Sequence, residues 1–126
     1  MFKWDDYLTL ADELSQRSEE HCLRTAVSRA YYAAYGMAVA WYKTNVGPVP
    51  RPTVKGRKLG IHEALWYAFQ DPKHADKSYA DVGAKGDALR RQRTKPDYDW
   101  SYPGIQGDLP AILSKTRSIL LNLKRM

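Results

Sequence analysis

The chain has 126 residues, a formal net charge of +6, and 44% hydrophobic and 27% charged residues. This composition is typical of a globular domain and excludes a disordered chain, and the single cysteine, Cys22, excludes an internal disulfide and a cysteine-only metal site. The sequence has no apolar run long enough to span a bilayer and no signal-peptide pattern. We therefore expect one domain over residues 1–126, in the cytoplasm and without a membrane partner.

Two helices are predicted at the start of the chain. Residues 4–20 predict the first, with Asp5 or Asp6 as its N-cap. A long helix follows over about residues 23–44, because apolar residues recur at helical spacing and no proline interrupts them. Its apolar stripe consists of Leu23, Ala26, Val27, Ala30, Ala34, Met37, Ala38 and Trp41.

A basic loop is predicted over residues 46–58, because prolines and glycines there break both helix and strand patterns. Two interpretations of the loop stand: a flap over a phosphate backbone, or an exposed connection whose charges only keep it hydrated. Residues 60–70 then predict a third helix. Its expected core face is Ile61, Leu65, Ala68 and Phe69.

Residues 76–93 predict a fourth helix, in which Arg93 continues the register of the core positions. Such an arginine either extends to solvent at the helix end or lies at an inner or interfacial site. An aromatic, turn-rich loop is predicted over residues 94–107. The last helix is predicted over residues 108–125, with Asp108 as N-cap and Pro110 in its first turn. The expected fold class is all-α: an up-down bundle of four to five helices around a long central helix, with no strand.

The common catalytic signatures are absent, since the chain has no Walker loop, no GxGxxG and no HExxH. The 3 histidines lie far apart in the sequence, so we expect neither a metal nor a cofactor. Cationic and aromatic side chains remain. Because arginine binds phosphate and aromatic rings stack on unpaired bases, they predict an RNA or nucleotide partner. The nucleic-acid-binding candidates are Arg29, Tyr32, Arg57, Lys58, Arg90 and Arg91.

Three segments together resemble the HEPN domain (higher eukaryotes and prokaryotes nucleotide-binding), and most closely its small single-domain prokaryotic branch. They are SRAYYAAY at 28–35, GIHEAL at 60–65 and LRRQRTKPDYD at 89–99. In that branch the middle helix carries a Ser-Arg-x-Tyr-Tyr run, a histidine opens the next helix, and an Arg-x-x-Ala-Asp-Tyr element ends the helix before the last loop. The corresponding residues here are Ser28, Arg29, Tyr31, Tyr32, His62, Arg93, Asp97 and Tyr98, with Pro96 in place of the alanine.

The resemblance implies a helical bundle that is commonly a homodimer. It also implies a metal-independent RNase of toxin or defence type, paired with a nucleotidyltransferase antitoxin. The family's active motif is an arginine, a short spacer and a histidine near the start of the last loop. This chain departs from it, because Asp97 and Tyr98 follow Arg93 where the histidine is expected. Arg57 and His62 have the spacing but precede the third helix, which is the wrong part of that fold.

Metal-independent RNA cleavage needs a base for the 2′-OH proton, an acid for the leaving oxygen, and positive charge on the transition state. Arg93 supplies charge but is no base at neutral pH. His62 is the best candidate base, since an imidazole titrates near neutral pH. Asp97 and Tyr98 are weaker catalytic candidates, because each needs a large pKa shift.

Two alternatives to an RNA site stand beside it. In the first, Arg29 and Arg93 pair with Asp97 or Asp99 and hold the bundle together. In the second, the chain is a non-catalytic module that dimerises or docks on a partner such as a nucleotidyltransferase. That module would use the aromatic segment Trp100–Tyr102 and the small-residue face of the central helix around Gly36.

Overall fold

The protein is an all-α bundle of five helices with one short β-hairpin. The computed structural model describes residues 1–98 and 102–126, without the side chains of Asp97 and Tyr98. The long second helix contacts every other helix, so it is the centre of the bundle. The elements are α1 (Trp4–Ser15), α2 (Glu20–Asn45), β1 (Thr53–Val54), β2 (Arg57–Lys58), α3 (Ile61–Phe69), α4 (Lys77–Tyr98) and α5 (Ile105–Arg125).

The apolar stripe predicted for the central helix is confirmed. Six of its members are buried and the two others, Met37 and Trp41, are half-buried against the same core. Two tyrosines of α2, Tyr31 and Tyr42, are also buried, each only 1% exposed. Helix α2 is therefore covered on more than one face, as an interior helix of a bundle must be.

Helix α1 ends at Ser15, earlier than predicted, and its N-cap is Lys3 rather than an aspartate. The carboxylate of Asp6 accepts the backbone N–H of Lys3 at 3.0 Å, so Asp6 stabilises the helix start from inside the first turn. The indole of Trp4 packs directly on Gly36 of α2, where an added Cβ would lie 2.2 Å from the ring. The small-residue face of α2 is thus occupied within the chain at Gly36.

Helices α3 and α4 pack closely through a second tryptophan. Trp66 is fully buried, and Gly86 of α4 leaves the space for its ring, since a Cβ there would lie 2.2 Å from Trp66 Cε3. The prediction that Ile61 belongs to the core face of α3 is wrong, because this side chain is 62% exposed. It is the first residue of the helix and precedes the part that α2 and α4 cover.

The expectation of no strand is corrected by a small hairpin inside the predicted basic loop. Thr53 pairs with Lys58 and Val54 with Arg57 in antiparallel register. The turn between them has positive φ at Lys55 (51°) and Gly56 (79°), the backbone of a tight two-residue hairpin turn that glycine permits. The hairpin brings Arg57 and Lys58 next to the start of α3.

Helix α4 runs beyond its predicted end at residue 93 and includes Pro96. Pro96 has no backbone N–H, so the helical ladder loses one hydrogen bond near the end of α4. The carbonyl of Pro96 accepts NH1 of Arg24 at 2.8 Å. A side chain of α2 therefore secures the end of α4, which sequence periodicity alone does not reveal.

Helix α5 begins at Ile105, one turn before the predicted start, and its N-cap is Gly104. Asp108 is therefore not the cap. Its carboxylate accepts the hydroxyl of Tyr102, which is only 5% exposed. The Tyr102 side chain belongs to the core, and burial with the neighbouring Asp108 carboxylate raises its pKa to about 12.

Candidate functional site

His62 lies in the first turn of α3, with its ring against two tyrosines of α2. The imidazole stacks on Tyr35 with 4.0 Å between ring centroids and on Tyr31 at 5.6 Å. Tyr31 and Tyr35 are one helical turn apart and so present their rings side by side. Helix α2 therefore provides an aromatic wall for the imidazole.

The hydroxyl of Tyr31 connects His62 to the core. Its oxygen accepts Nε1–H of Trp66 at 3.1 Å and lies 2.8 Å from Nδ1 of His62. The hydroxyl has a single proton, and burial raises the pKa of Tyr31, so this proton stays on the oxygen. The network is complete when Tyr31 donates to Nδ1, which leaves the proton of the neutral imidazole on Nε2.

Arg93 reaches the same aromatic wall from α4. Its NH1 donates to the hydroxyl of Tyr32 at 3.3 Å. The guanidinium carbon lies 5.0 Å from the ring centroid of Tyr31 and 5.5 Å from that of Tyr32. His62 and Arg93 thus converge within one chain, although 30 positions of sequence separate them. We call this group of Tyr31, Tyr32, Tyr35, His62 and Arg93 the aromatic–cation cluster.

The electrostatics of the cluster favour a neutral imidazole. Partial burial lowers the pKa of His62 below its ordinary value, and the positive charges of Arg93 and Arg90 lower it further. At neutral pH the ring is therefore uncharged, while the arginine keeps its charge. A neutral imidazole beside a cation can exchange a proton with a ligand whose phosphate binds to the arginine.

Three of the other predicted cations, Arg57, Arg90 and Arg91, have acidic partners in the chain. Arg57 of the hairpin makes a bidentate pair with Glu63, at 2.9 and 3.2 Å. Arg90 contacts Asp87 at 2.9 Å and Glu63 at 3.9 Å, and Arg91 lies 3.4 Å from Asp87. The bidentate hydrogen bonds from Arg57 lower the pKa of Glu63.

The balance of these charges remains positive among the described side chains. Four positive charges outnumber two negative charges. The cations are Arg57, Arg90, Arg91 and Arg93, and the carboxylates are Glu63 and Asp87. Lys58 is exposed in β2 and adds a further cation beside them. The arrangement attracts an anion, but part of its charge already serves to hold α3, α4 and the hairpin together.

Arg29 is not brought to the cluster. Its guanidinium lies over Tyr7 of α1, 4.9 Å from the ring centroid, and it lines a shallow polar depression with Arg24, Ser28 and Pro96. No described contact joins it to His62 or Arg93. Arg29 and Tyr32 are three residues apart on α2 and so lie near one face of that helix, although the Arg29 guanidinium is directed to Tyr7.

Two predicted catalytic residues are not tested by the structure. Asp97 and Tyr98 occupy the last turn of α4, five positions or fewer beyond Arg93, and their side chains lie outside the described residues. The predicted pairing of Arg29 or Arg93 with Asp97 or Asp99, and the position of Trp100, lie outside them as well.

Tyr35 and Trp66, which complete the site, were not among the site residues predicted from the sequence. The sequence does contain a signal for both. Tyr35 follows Tyr31 by four residues and Trp66 follows His62 by four, so each pair shares a helix face. Within the described ranges, 1–98 and 102–126, no group of three His, Cys, Asp or Glu side chains is placed to hold a metal ion.

No described helix is both long and apolar enough to cross a membrane. No protein-family model matches the sequence, and comparisons with curated proteins and with solved structures give no significant match.

Proposed function

We propose that the chain binds RNA or a nucleotide at the aromatic–cation cluster, as a HEPN-like protein, and that RNA cleavage without a metal is its reaction. The observation that supports this proposal best is the convergence of His62 and Arg93 on Tyr31 and Tyr32. A phosphate bound to Arg93 accepts charge-assisted hydrogen bonds from the guanidinium, and Nε2 of the neighbouring imidazole is the nitrogen that exchanges a proton with the ligand.

In the proposed reaction His62 takes the proton of a ribose 2′-OH. For this step the imidazole uses its other tautomer, in which Nδ1–H donates to the Tyr31 oxygen and Nε2 carries the lone pair. The 2′ oxygen then bonds to phosphorus and the bond from phosphorus to the 5′ oxygen breaks. The leaving oxygen takes a proton from solvent or from an acid of the site, and the His62 imidazolium returns its own proton to solvent. The products are a 2′,3′-cyclic phosphate and a 5′-hydroxyl.

Arg93 has a separate role in this reaction. Negative charge builds up on the phosphate oxygens as the fifth bond to phosphorus forms, and a guanidinium held against two aromatic rings is already oriented to bind it. Asp97 and Tyr98 stay candidates for the acid, since they follow in the same helix end.

RNA or nucleotide binding is preferred over the docking module. Of the residues named for the module, Gly36 packs against Trp4 and Tyr102 is buried, while Trp100 lies outside the described residues. A homodimer and a nucleotidyltransferase partner remain parts of the HEPN-like proposal and rest on the resemblance alone. A cytoplasmic location is also part of the proposal and rests on the sequence pattern at the start of the chain.

The test is incubation of the purified protein with single-stranded and structured RNA in EDTA. We expect cleavage with 2′,3′-cyclic phosphate ends that His62→Ala and Arg93→Ala both abolish. The matched controls are His21→Ala and Arg17→Ala, which change exposed residues outside the cluster. Wild-type protein that neither cleaves nor binds RNA at low salt rejects the proposal, and so does cleavage that survives both cluster substitutions.

A further inference from the structure

A separate apolar cavity of about 330 Å³ lies behind Tyr35, on the side away from Arg93 along α2. Helix α2, the proline-containing segment before β1, and the start of α3 enclose it. Its volume is near the lower end of the range for small-molecule sites, about 300–1,000 Å³. The apolar wall includes Tyr35, Val39, Val49, Ile61 and Leu65.

Two cations stand at the rim of this cavity. Lys43 follows Val39 by one turn of α2, and Arg51 belongs to the proline-containing segment. Nε of Arg51 donates to the carbonyl of Leu59 at 2.8 Å, which fixes the position of the guanidinium. No acidic residue is among the described side chains that line the cavity, and neither cation has an acidic partner in the described part of the chain.

We infer that this cavity binds a small organic anion, a carboxylate with a hydrocarbon or single-ring body. The apolar wall matches the body of such a ligand, and Lys43 or Arg51 matches its carboxylate. Ile61 lies 62% exposed at the mouth, and a bound ligand covers it.

A nucleobase fits the cavity less well. The polar edges of a base need several hydrogen-bond partners, and a buried edge without them is unfavourable. Apart from Tyr35 and the two cations, the lining side chains are apolar. The inference therefore concerns a second site and does not depend on RNA binding at the aromatic–cation cluster.

The probe is 4-phenylbutyrate, with the uncharged 4-phenylbutan-1-ol as its matched control. Titration of ¹⁵N-labelled protein should perturb the amides of residues 39, 43, 49, 61 and 65. The carboxylate should bind about two- to fivefold more tightly than the alcohol, as an exposed ion pair allows. The double variant Lys43→Gln/Arg51→Gln should remove that preference, while Lys77→Gln, which changes an exposed lysine outside the cavity, should keep it.

Ile61→Asp places a carboxylate at the mouth, where an acidic residue in a first helical turn is compatible with α3. It should weaken the binding of 4-phenylbutyrate more than the binding of the alcohol. Perturbation of amides elsewhere, or equal affinity for the two probes, overturns the inference. The inference is also overturned if a nucleoside monophosphate perturbs the same amides and binds more tightly than 4-phenylbutyrate, because the cavity then binds a nucleobase.

Discussion

The hydroxyl oxygen of Tyr31 lies 2.8 Å from Nδ1 of His62. Among the described residues, this is the only hydrogen bond that connects the imidazole to the core. The same oxygen accepts the indole N–H of Trp66. One buried phenol thus fixes both the orientation of the ring and the nitrogen that faces a ligand.

Tyr31→Phe tests this role. The substitution leaves the buried indole N–H of Trp66 without its acceptor, so we expect a loss of about 1–3 kcal/mol in the free energy of unfolding. We also expect the ¹⁵N shifts of His62 to lose the preference for the Nε2–H tautomer. Tyr67→Phe, at an exposed position of α3, is the control for urea unfolding and for NMR. An unchanged tautomer in Tyr31→Phe contradicts the assignment.

The pH dependence follows from the lowered pKa of His62. Between that lowered pKa and the ordinary value near 6.5, the unfolded chain binds more protons than the folded one, so folding stability falls as pH drops through this window. Any cleavage that uses His62 as base should fall in the same direction. An NMR titration of His62, repeated in denaturing urea, measures both pKa values.

Replacing Arg93 with Gln removes a positive charge beside the imidazole. The pKa of His62 should then rise toward its ordinary value, because Arg93 is one of the causes that lower it. Arg91→Gln, on an exposed side chain that pairs with Asp87, is the control. If the two variants shift the titration of His62 equally, Arg93 has no special position in the cluster.

The substitution Gly86→Ala should disrupt the site by displacing Trp66. The new Cβ would lie 2.2 Å from the indole, so the ring must move, and overpacking of this kind destabilises by about 1–3 kcal/mol. The Tyr31 hydroxyl then loses its donor, and RNA binding should weaken. Gly107→Ala is the opposite control: α5 has open space there, and the gain in helix propensity is about 0.5–1 kcal/mol.

Glu63→Gln should strengthen RNA binding. It removes a carboxylate that pairs with Arg57 and lies near Arg90, so both arginines become available to phosphate. We expect a several-fold tighter dissociation constant at low salt and a steeper salt dependence. Asp12→Asn, which removes the partner of Arg117 on another surface, should change neither. Weaker RNA binding by Glu63→Gln contradicts this prediction, because it shows that Glu63 orients Arg57 for the phosphate and does not compete with the phosphate for Arg57.

Most of the helical architecture could be predicted, because periodicity carries it. The stripe from Leu23 to Trp41 identified α2, and the breaks around it separated the other helices. The ends of the helices could not be predicted as well. Arg24, distant in sequence, binds the carbonyl of Pro96 in the last turn of α4. Helix α5 begins before Asp108, whose carboxylate accepts the hydroxyl of Tyr102 and does not cap the helix.

The candidate site, like the fold, could be predicted only in part. His62 and Arg93 were named together from the sequence, and their convergence supports that choice. Arg29 was also named as a nucleic-acid-binding candidate, yet its guanidinium lies over Tyr7 and not at the cluster. A residue's face on its own helix is local information, whereas its neighbour across the bundle depends on how the helices pack.

The position of Trp66 also has a consequence for synthesis of the chain. This side chain lies between Gly86 and the Tyr31 hydroxyl, so the imidazole of His62 is held in place only when α3 packs on both α2 and α4. A growing polypeptide that ends before residue 86 contains His62 and every tyrosine of the cluster, but it lacks Gly86 and Arg93. In a nascent chain of that length the imidazole is therefore not yet held as in the folded protein, and the aromatic–cation cluster forms only once α4 has been made.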